Sequence, residues 1–301
     1  MRDFGLIHNF LRLLPLRRSL FLEHPMAPMS KNFNPGRVGK RNRRCRMKGW
    51  ETSLNLSIQR AMNLPVKPAR PEHEALKADA KAWFEELRDR IGAAFEAIEQ
   101  DYDGPLRHRA PGRFMYSHWT RESGGGGVTA VMRGRVFEKV GINVSTVWGT
   151  FDPEFGKTIR GAEQDPHFWA TGISLVAHMH SPRVPAAHMN TRMLVTTKGW
   201  FGGGGDLTPL QPGTEAACED AAAFHTAYRH ACDAHHPNYY EKYRQWCDDY
   251  FFLPHRNEMR GAGGIFFDYL DSGDLVDDFG FTRDVGLAFL ESYPAIVLTS
   301  G

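Results

Sequence analysis

The sequence lacks a surplus of charge of either sign, because 37 lysines and arginines face 35 aspartates and glutamates in its 301 residues. Attraction of a polyanion over long distances requires such a surplus, so the overall charge does not favour a nucleic-acid-coating protein. With 42% apolar residues, 30 glycines and 18 prolines, the composition also excludes a disordered or collagen-like chain. The length is sufficient for a sizeable core in one or two domains.

Long apolar runs, paired cysteines and internal repeats are missing as well. The hydrophobic opening, residues 4–22, is interrupted by Arg12, Pro15 and two further arginines, which excludes a membrane span and a signal peptide. The four cysteines lie at least 14 residues apart without a C-x-x-C pair, so we expect reduced thiols and a cytoplasmic protein. No repeat of about 20 to 50 residues is visible, which excludes solenoids and propellers.

The first 70 residues differ from the rest of the chain. Residues 36–48 hold seven lysines and arginines and no acidic residue. We expect a solvated or disordered basic arm there, in preference to contact with nucleic acid or an anionic membrane. The arginine-rich opening also fits a mitochondrial transit peptide or a start codon assigned too early. We therefore divide the chain into an unmatched basic extension, residues 1–70, and one domain, residues 71–301.

Periodicity predicts the first elements of that domain. An apolar stripe over residues 76–98 predicts a helix of about 28 residues. Short β-rich runs follow over residues 114–197, with Gly134 and Gly141 at turns. Because the connections are too short for crossover helices, we expect neighbouring strands to pair antiparallel.

Helical composition returns in the second half of the domain. Two helices are predicted between Glu215 and Tyr250, a buried strand over residues 263–270, and a last helix over residues 274–293 that ends before Pro294. Helices bracketing a continuous antiparallel sheet indicate an α+β fold, in which a large antiparallel sheet is flanked by helices in a single domain.

Alternation along the strand of residues 187–197 places His188, Asn190 and Arg192 on one face. Ser174 and His178 share a face of the preceding strand, so one surface collects all five side chains if the two faces coincide. The alternative is the polar outer face of a half-solvated sheet. Because His, Asn and Arg are poor strand formers and the arginine fork suits carboxylates and phosphates, the pattern favours an acidic small molecule.

The stretch WFGGGGDLTPL, residues 200–210, is rich in glycine but matches neither G-x-x-x-x-G-K-[ST] nor G-x-G-x-x-G. Four consecutive glycines either let the backbone approach something flat and bulky or form a flexible flap. Asp206 follows them and is a candidate acid or ligand anchor, with a role in a turn as the alternative.

Neutral imidazoles commonly bind metals, and several histidines of this domain could converge on one divalent ion. Their spacing is not a zinc signature such as H-E-x-x-H, and each histidine alone is more often structural. Arg256 and Arg260 add guanidinium groups for an anionic substrate. The candidate ligands are His178, His188, His225 and His255.

Four sequence blocks resemble the oxygen-dependent coproporphyrinogen III oxidases. In chain order they read SGGGGVTAVMRGRVFEKVGINVSTVWG, FWATGISLVAHMHSPRVPAAHMNTRML, WFGGGGDLTPL and FFLPHRNEMRGAGGIFFDYL, and the match extends over residues 72–297. The resemblance implies a homodimeric α+β enzyme of haem biosynthesis. Its reaction converts two propionates of coproporphyrinogen III to vinyl groups and gives protoporphyrinogen IX, with O2 as co-substrate and without flavin or haem.

The resemblance also implies roles for individual residues. It makes His188 the proton donor, and Ser174, Asn190, Thr191 and Arg192 substrate-binding residues. Bacterial members place a divalent metal on positions matching His178, His188, His225 and His255, whereas other members are held to need no metal.

The resemblance stops early at the carboxyl end. Family members continue beyond the equivalent of YPAIV with runs resembling R-R-G-R-Y-V-E-F-N and D-R-G-T-x-F-G-L, which carry an active-site Asp and Arg and much of the dimer interface. This chain stops at LTSG, so we expect a C-terminally incomplete form of the enzyme. The alternatives are a catalytically inactive relative that binds porphyrinogen or metal, and a histidine-metal hydrolase or oxygenase acting on other acids.

Overall fold

Seven antiparallel strands form one sheet, in which the order of strands across the sheet follows their order along the chain. The computed structural model describes residues 73–163 and 165–300, so the predicted basic extension, residues 1–70, lies outside the described residues. Each strand pairs with the next, which short connections permit. The strands are β1 (Met115–Thr120), β2 (Gly125–Met132), β3 (Phe137–Thr150), β4 (His167–Met179), β5 (Ala186–Val195), β6 (Gly199–Thr208) and β7 (Gly263–Leu270).

Within the described residues, five helices flank this sheet, which confirms the predicted α+β class. Thr214 caps the third helix by accepting a hydrogen bond from the backbone N–H of Ala217 at 3.2 Å. The helices are α1 (His73–Asp101), α2 (Pro153–Gly156), α3 (Glu215–Asp233), α4 (Tyr239–Tyr250) and α5 (Leu275–Ser300).

The hydrophobic core lies between one face of the sheet and the long helices. Helix α1 contacts β3 and β4, α5 contacts β5 and β6, and α3 packs against α5. Ile142, Leu175, Met189 and Phe201 are buried on this face. A slip of one residue would turn these side chains to the opposite face, so their burial fixes the register of the strands. We call this the apolar face of the sheet.

Most elements lie where the periodicity places them. The apolar stripe of residues 76–98 lies inside α1, and its side chains are buried in the core. Strands β4, β5 and β7 and helices α3 and α4 also match the predicted segments within a few residues.

Three local predictions are wrong. Gly141 is not at a turn, because β3 runs through it as one long strand. The segment with four glycines is the buried strand β6 and not a flap. Helix α5 continues through Pro294 to Ser300, since Pro294 is buried and the Tyr293 hydroxyl donates to the Pro185 carbonyl at 2.9 Å. Packing on both sides of the proline outweighs the loss of its backbone hydrogen bond.

Two cysteines of the domain lie in the hydrophobic core. Cys232 and Cys247 are free and buried, which confirms reduced thiols for these two residues. In residues 73–163 and 165–300, no helix combines the length and the apolar character that crossing a bilayer requires.

Candidate active site

The face of the sheet opposite the core collects the polar residues that the alternation pattern singled out. Ser174 on β4 pairs directly with Asn190 on β5, and His188 on β5 pairs with Asp206 on β6. Directly paired residues of antiparallel strands project to the same face. The prediction that the two polar faces coincide is therefore confirmed. We call this the polar face of the sheet.

His188 is held in place by a buried carboxylate. Its Nδ1 lies 3.1 Å from Oδ1 of Asp206, whose other oxygen accepts a hydrogen bond from Nη2 of Arg260 at 2.8 Å. Only 3% of the Asp206 side chain is exposed, compared with 20% for His188 and 34% for Arg260. The carboxylate thus lies at the bottom of the network, and its two partners reach toward solvent.

This network keeps Asp206 ionised. Burial alone raises the pKa of a carboxyl group, but the hydrogen bonds and positive charge of His188 and Arg260 outweigh burial and hold the pKa of Asp206 below its ordinary value. An ionised carboxylate can only accept, so the Nδ1 of His188 carries the proton in this contact. The Nε2 atom is then the nitrogen that His188 presents to a ligand.

Arg192 lies in the floor of the same face. Its Nη1 donates to Oδ1 of Asn190 at 2.6 Å, and its Nη2 lies 2.9 Å from Oδ2 of Asp268. The guanidinium also packs 5.9 Å from the ring centre of Phe266. Asn190 and Arg192 are 2% and 3% exposed. The arginine fork is therefore engaged by the protein itself and does not extend into solvent.

The glycines of β6 make room for side chains of the protein. A Cβ on Gly202 would lie 2.7 Å from Oδ1 of Asp268 and 3.0 Å from the guanidinium carbon of Arg192. On the apolar face, a Cβ on Gly205 would collide with the hydroxyl of Tyr228. The groups that approach these glycines are an ion pair and a buried tyrosine of the same chain. The expected approach of something flat and bulky stays a prediction.

Aromatic rings border the polar network on the side of β7. The ring of Phe251 lies 6.4 Å from that of His188, and Arg260 stacks on Phe251 at 3.7 Å. Tyr250 stacks on Phe266 at 4.3 Å between ring centres. Helix α4 and the segment after it therefore supply an apolar wall beside the charged groups, a composition typical of small-molecule sites.

The side chain of Thr191 does not reach this site. It is fully buried and projects to the apolar face, because it alternates with Asn190 and Arg192 along β5. The implied role of Thr191 in substrate binding is therefore corrected, since its side chain cannot contact a ligand on the polar face.

The four candidate metal ligands do not assemble. His225 uses both ring nitrogens, with Nε2 2.9 Å from the carbonyl oxygen of Ala262 and Nδ1 2.9 Å from the hydroxyl of Tyr240. His178 and His255 are exposed, the latter in the loop between α4 and β7. In the part of the chain that the structure describes, no three His, Cys, Asp or Glu side chains are grouped to hold an ion. These residues do not fit the metal that the resemblance implied.

Two carboxylates of the site were not assigned to it from the sequence. Asp206 was a candidate with a turn as the alternative, and Asp268 had no role. Strand β6 was not predicted, so the pairing of Asp206 with His188 could not be seen. For Asp268, the only signal was alternation along the predicted β7, which places it on the same face as Phe266.

Comparisons with known proteins show the family to which this chain belongs. The family model described as coproporphyrinogen III oxidase matches residues 79–300. The oxygen-dependent coproporphyrinogen-III oxidase of Rickettsia bellii (strain RML369-C) is 54% identical over 216 residues, which cover 72% of this chain and 76% of that protein. The protein of the same name from Rickettsia akari (strain Hartford) is 52% identical over 215 residues, covering 71% and 75%. This chain belongs to the coproporphyrinogen III oxidase family.

Proposed function

We propose that this chain catalyses the oxygen-dependent decarboxylation of two propionates of coproporphyrinogen III to vinyl groups, which gives protoporphyrinogen IX in haem biosynthesis. The observation that carries the proposal is the network of His188, Asp206 and Arg260 on the polar face, in a chain of this family. The network supplies an oriented imidazole, an ionised carboxylate and a partly exposed guanidinium within one site.

The shape and charge of the polar face suit this substrate. A reduced tetrapyrrole is flat and apolar in its middle and carries carboxylates at its rim. Gly172 and Gly204 carry no side chain on this face, and Phe251 offers an apolar contact beside it. Arg260 is the exposed cation for a carboxylate, and Ser174 and Asn190 supply neutral polar groups.

The atom balance of the reaction requires a proton donor. For each propionate, one C–COO bond and one C–H bond break, a C=C bond forms, and CO2 leaves. The two electrons released reduce O2 to H2O2, which takes up two protons. One of them comes from the broken C–H bond, so the other must be supplied by the site or by water.

His188 is placed to supply that proton. Asp206 accepts from Nδ1 and fixes the ring, so that the opposite nitrogen faces the ligand. Ser174, Asn190 and Arg192 are the residues we assign to substrate binding, and the buried Arg192 contributes by orienting the amide of Asn190.

The test is turnover by the purified chain. Coproporphyrinogen III is supplied under air and under argon, and protoporphyrin is measured by fluorescence after oxidation of the products. We expect product under air only, in equal amounts with and without a chelator, because the predicted metal ligands do not assemble. A chelator that abolishes turnover would contradict this account of the site.

The two alternatives, an inactive binding relative and a histidine-metal hydrolase or oxygenase acting on other acids, give different results in the same assay. Tight binding of coproporphyrin III without turnover would indicate an inactive binding relative. No binding and no turnover would indicate another substrate and would overturn the proposal.

We also propose the homodimer that the family resemblance implies and the cytoplasmic location that the cysteine pattern predicts. Membership of the family supports both. Light scattering tests the first, since a homodimer gives a particle of twice the chain mass. Fractionation of cells expressing the full chain tests the second.

A further inference from the structure

We propose that Asp268 is a positioning residue of the site, which holds the guanidinium of Arg192 and, through it, the amide of Asn190 in one fixed orientation. This inference rests on the proposed function and adds a residue that acts on the substrate only through others.

The backbone around Asp268 is irregular in a way that serves this contact. Phe201 pairs with Leu270 and Gly203 pairs with Phe267, so one residue of β6 faces two residues of β7. This count defines a β-bulge, a device that redirects side chains and is common next to active sites. The bulge consists of Asp268 and Tyr269.

The bulge places two consecutive side chains on the polar face. Asp268 contacts Arg192, and the ring of Tyr269 stacks on Trp200 at 5.3 Å. Tyr269 has a φ of 52°, which residues other than glycine rarely adopt. Its backbone N–H donates to Oδ1 of Asp268 at 2.9 Å and holds the carboxylate toward the arginine. Strain of this kind persists where the surrounding structure requires it and is frequent at functional sites.

Gly202 supplies the second half of the arrangement. It faces the bulge, and any side chain there would occupy the space of the Arg192 and Asp268 groups. The glycine, the bulge and the left-handed tyrosine thus converge on one ion pair. A buried ion pair contributes little net stability compared with apolar residues of similar volume. Stability alone therefore does not account for this arrangement.

The pair has a consequence for the ligand-binding groups. With Nη2 held by Asp268, Arg192 directs Nη1 at the carbonyl oxygen of the Asn190 side chain. The amide NH2 of Asn190 is then left to donate to a ligand. Without Asp268, the guanidinium can rotate and the amide loses its fixed orientation.

The experiment compares two variants that disturb the pair in different ways. Asp268→Asn removes the charge and keeps the shape, whereas Gly202→Ala keeps both charges and forces them apart. Gly141→Ala is the matched control, since it is also a strand glycine and a Cβ there meets nothing within 4 Å. Turnover, binding of coproporphyrin III by fluorescence quenching, and the melting temperature are measured for each.

We expect kcat to fall about 10- to 100-fold in Asp268→Asn and in Gly202→Ala, as misplacement of an orienting group does. Binding of coproporphyrin III should change less than about threefold, because Arg260 still meets the carboxylates. Gly141→Ala should match the unmodified chain. In an Arg192→Lys background, Asp268→Asn should cause no further loss of turnover, since both changes remove the same interaction.

Three results would overturn the inference. Unchanged kcat in folded Asp268→Asn is one, and a loss that multiplies fully with that of Arg192→Lys is another. The third is a lower melting temperature with normal kcat in the folded fraction, which a purely structural role predicts. If the proposed function is wrong, the unmodified chain forms no product, and this is seen before any variant is compared. The inference about Asp268 would then be wrong as well.

Discussion

Two buried carboxylates at different places in the molecule show how the partners of a charged group indicate its role. Glu99 on α1 is fully buried and accepts four hydrogen bonds of 2.8 to 2.9 Å from backbone N–H groups. Asp206 on β6 is 2% exposed and is held by the side chains of His188 and Arg260. Burial is nearly the same, but the donors differ.

The different hydrogen-bond donors indicate which of the two carboxylates can take part in catalysis. The donors to Glu99 belong to Gly112 and to residues 135–137, whose backbone positions are fixed by the start of β3 and the segment before β1. They cannot turn to a ligand. His188 and Arg260 are partly exposed side chains, so they can contact a substrate while they hold Asp206. We therefore assign a structural role to Glu99 and a functional role to the Asp206 network.

The largest expected effect is on catalysis at His188. His188→Ala should lower kcat about 10²- to 10⁴-fold, the usual contribution of a general acid. Substrate binding should change much less, because the anionic rim is met by other groups. Steady-state kinetics under air check this expectation. Unchanged turnover would contradict the functional role that we assign to His188 and the Asp206 network.

Glu99→Gln should have the largest effect on stability. The amide keeps one acceptor oxygen but places an NH2 group against backbone donors, so two buried N–H groups lose their partner. At about 1–3 kcal/mol for each unsatisfied group, the free energy of unfolding should fall by about 2–6 kcal/mol. Urea denaturation measures this change. A loss below about 1 kcal/mol would show that these four hydrogen bonds do not act as a structural clamp.

Arg260→Gln tests the contribution of Arg260 to the Asp206 network. The substitution removes one of the two groups that lower the pKa of this carboxyl, together with the exposed cation for the substrate. We expect KM for coproporphyrinogen III to rise about tenfold, which corresponds to one lost charge-assisted hydrogen bond. Arg256→Gln is the control, because Arg256 lies in the same loop and its guanidinium pairs with Glu258 instead of Asp206. Equal KM for the two variants would contradict the role of Arg260.

His235 lies outside the polar face, in an ion-paired cluster with Asp284 and Asp277, and gives the smallest expected effect. Hydrogen bonds to Asp284 and, to a lesser degree, Asp277 outweigh burial and raise the pKa of His235. A raised histidine pKa stabilises the fold fully below the unfolded pKa of about 6.5 and loses this effect as pH rises through the folded value. His235→Asn should therefore lower the melting temperature more at pH 6 than at pH 9.

The exposed His108 provides a control for this pH comparison. His108→Asn should change the melting temperature little, because this side chain is exposed. Turnover at a fixed pH should be unaffected by either substitution, since neither residue lies on the polar face. An equal loss of melting temperature for His235→Asn at pH 6 and pH 9 would speak against charge as the source of its stabilisation.

The sequence predicted the fold where periodicity and packing agree. The stripe of α1, the alternation in β4 and β5 and the apolar run of β7 all bury the residues that the patterns select. Strand β6 was missed because glycine is disfavoured in strands, and its glycines are required by contacts with Asp268 and Tyr228 that only the folded chain contains. The extension of α5 past Pro294 also depends on tertiary packing.

The site was predictable only in part for the same reason. Alternation placed His188, Asn190 and Arg192 on one face and Thr191 on the other, as observed. The carboxylate partners come from β6 and from a bulge in β7, and no local pattern announces either contact. The resemblance assigned Thr191 by its position within a run of residues, whereas the direction of its side chain separates it from the run.

The most direct test of the central claim measures turnover and the free energy of unfolding of Asp206→Asn beside those of Glu99→Gln. We predict that Asp206→Asn lowers turnover at least about 100-fold and lowers the free energy of unfolding by less than about 1.5 kcal/mol, because its partners can be solvated. Glu99→Gln should lose stability and keep the turnover of its folded fraction. If Asp206→Asn instead loses stability to the same extent as Glu99→Gln and its folded fraction retains full turnover, the polar face is not the catalytic site.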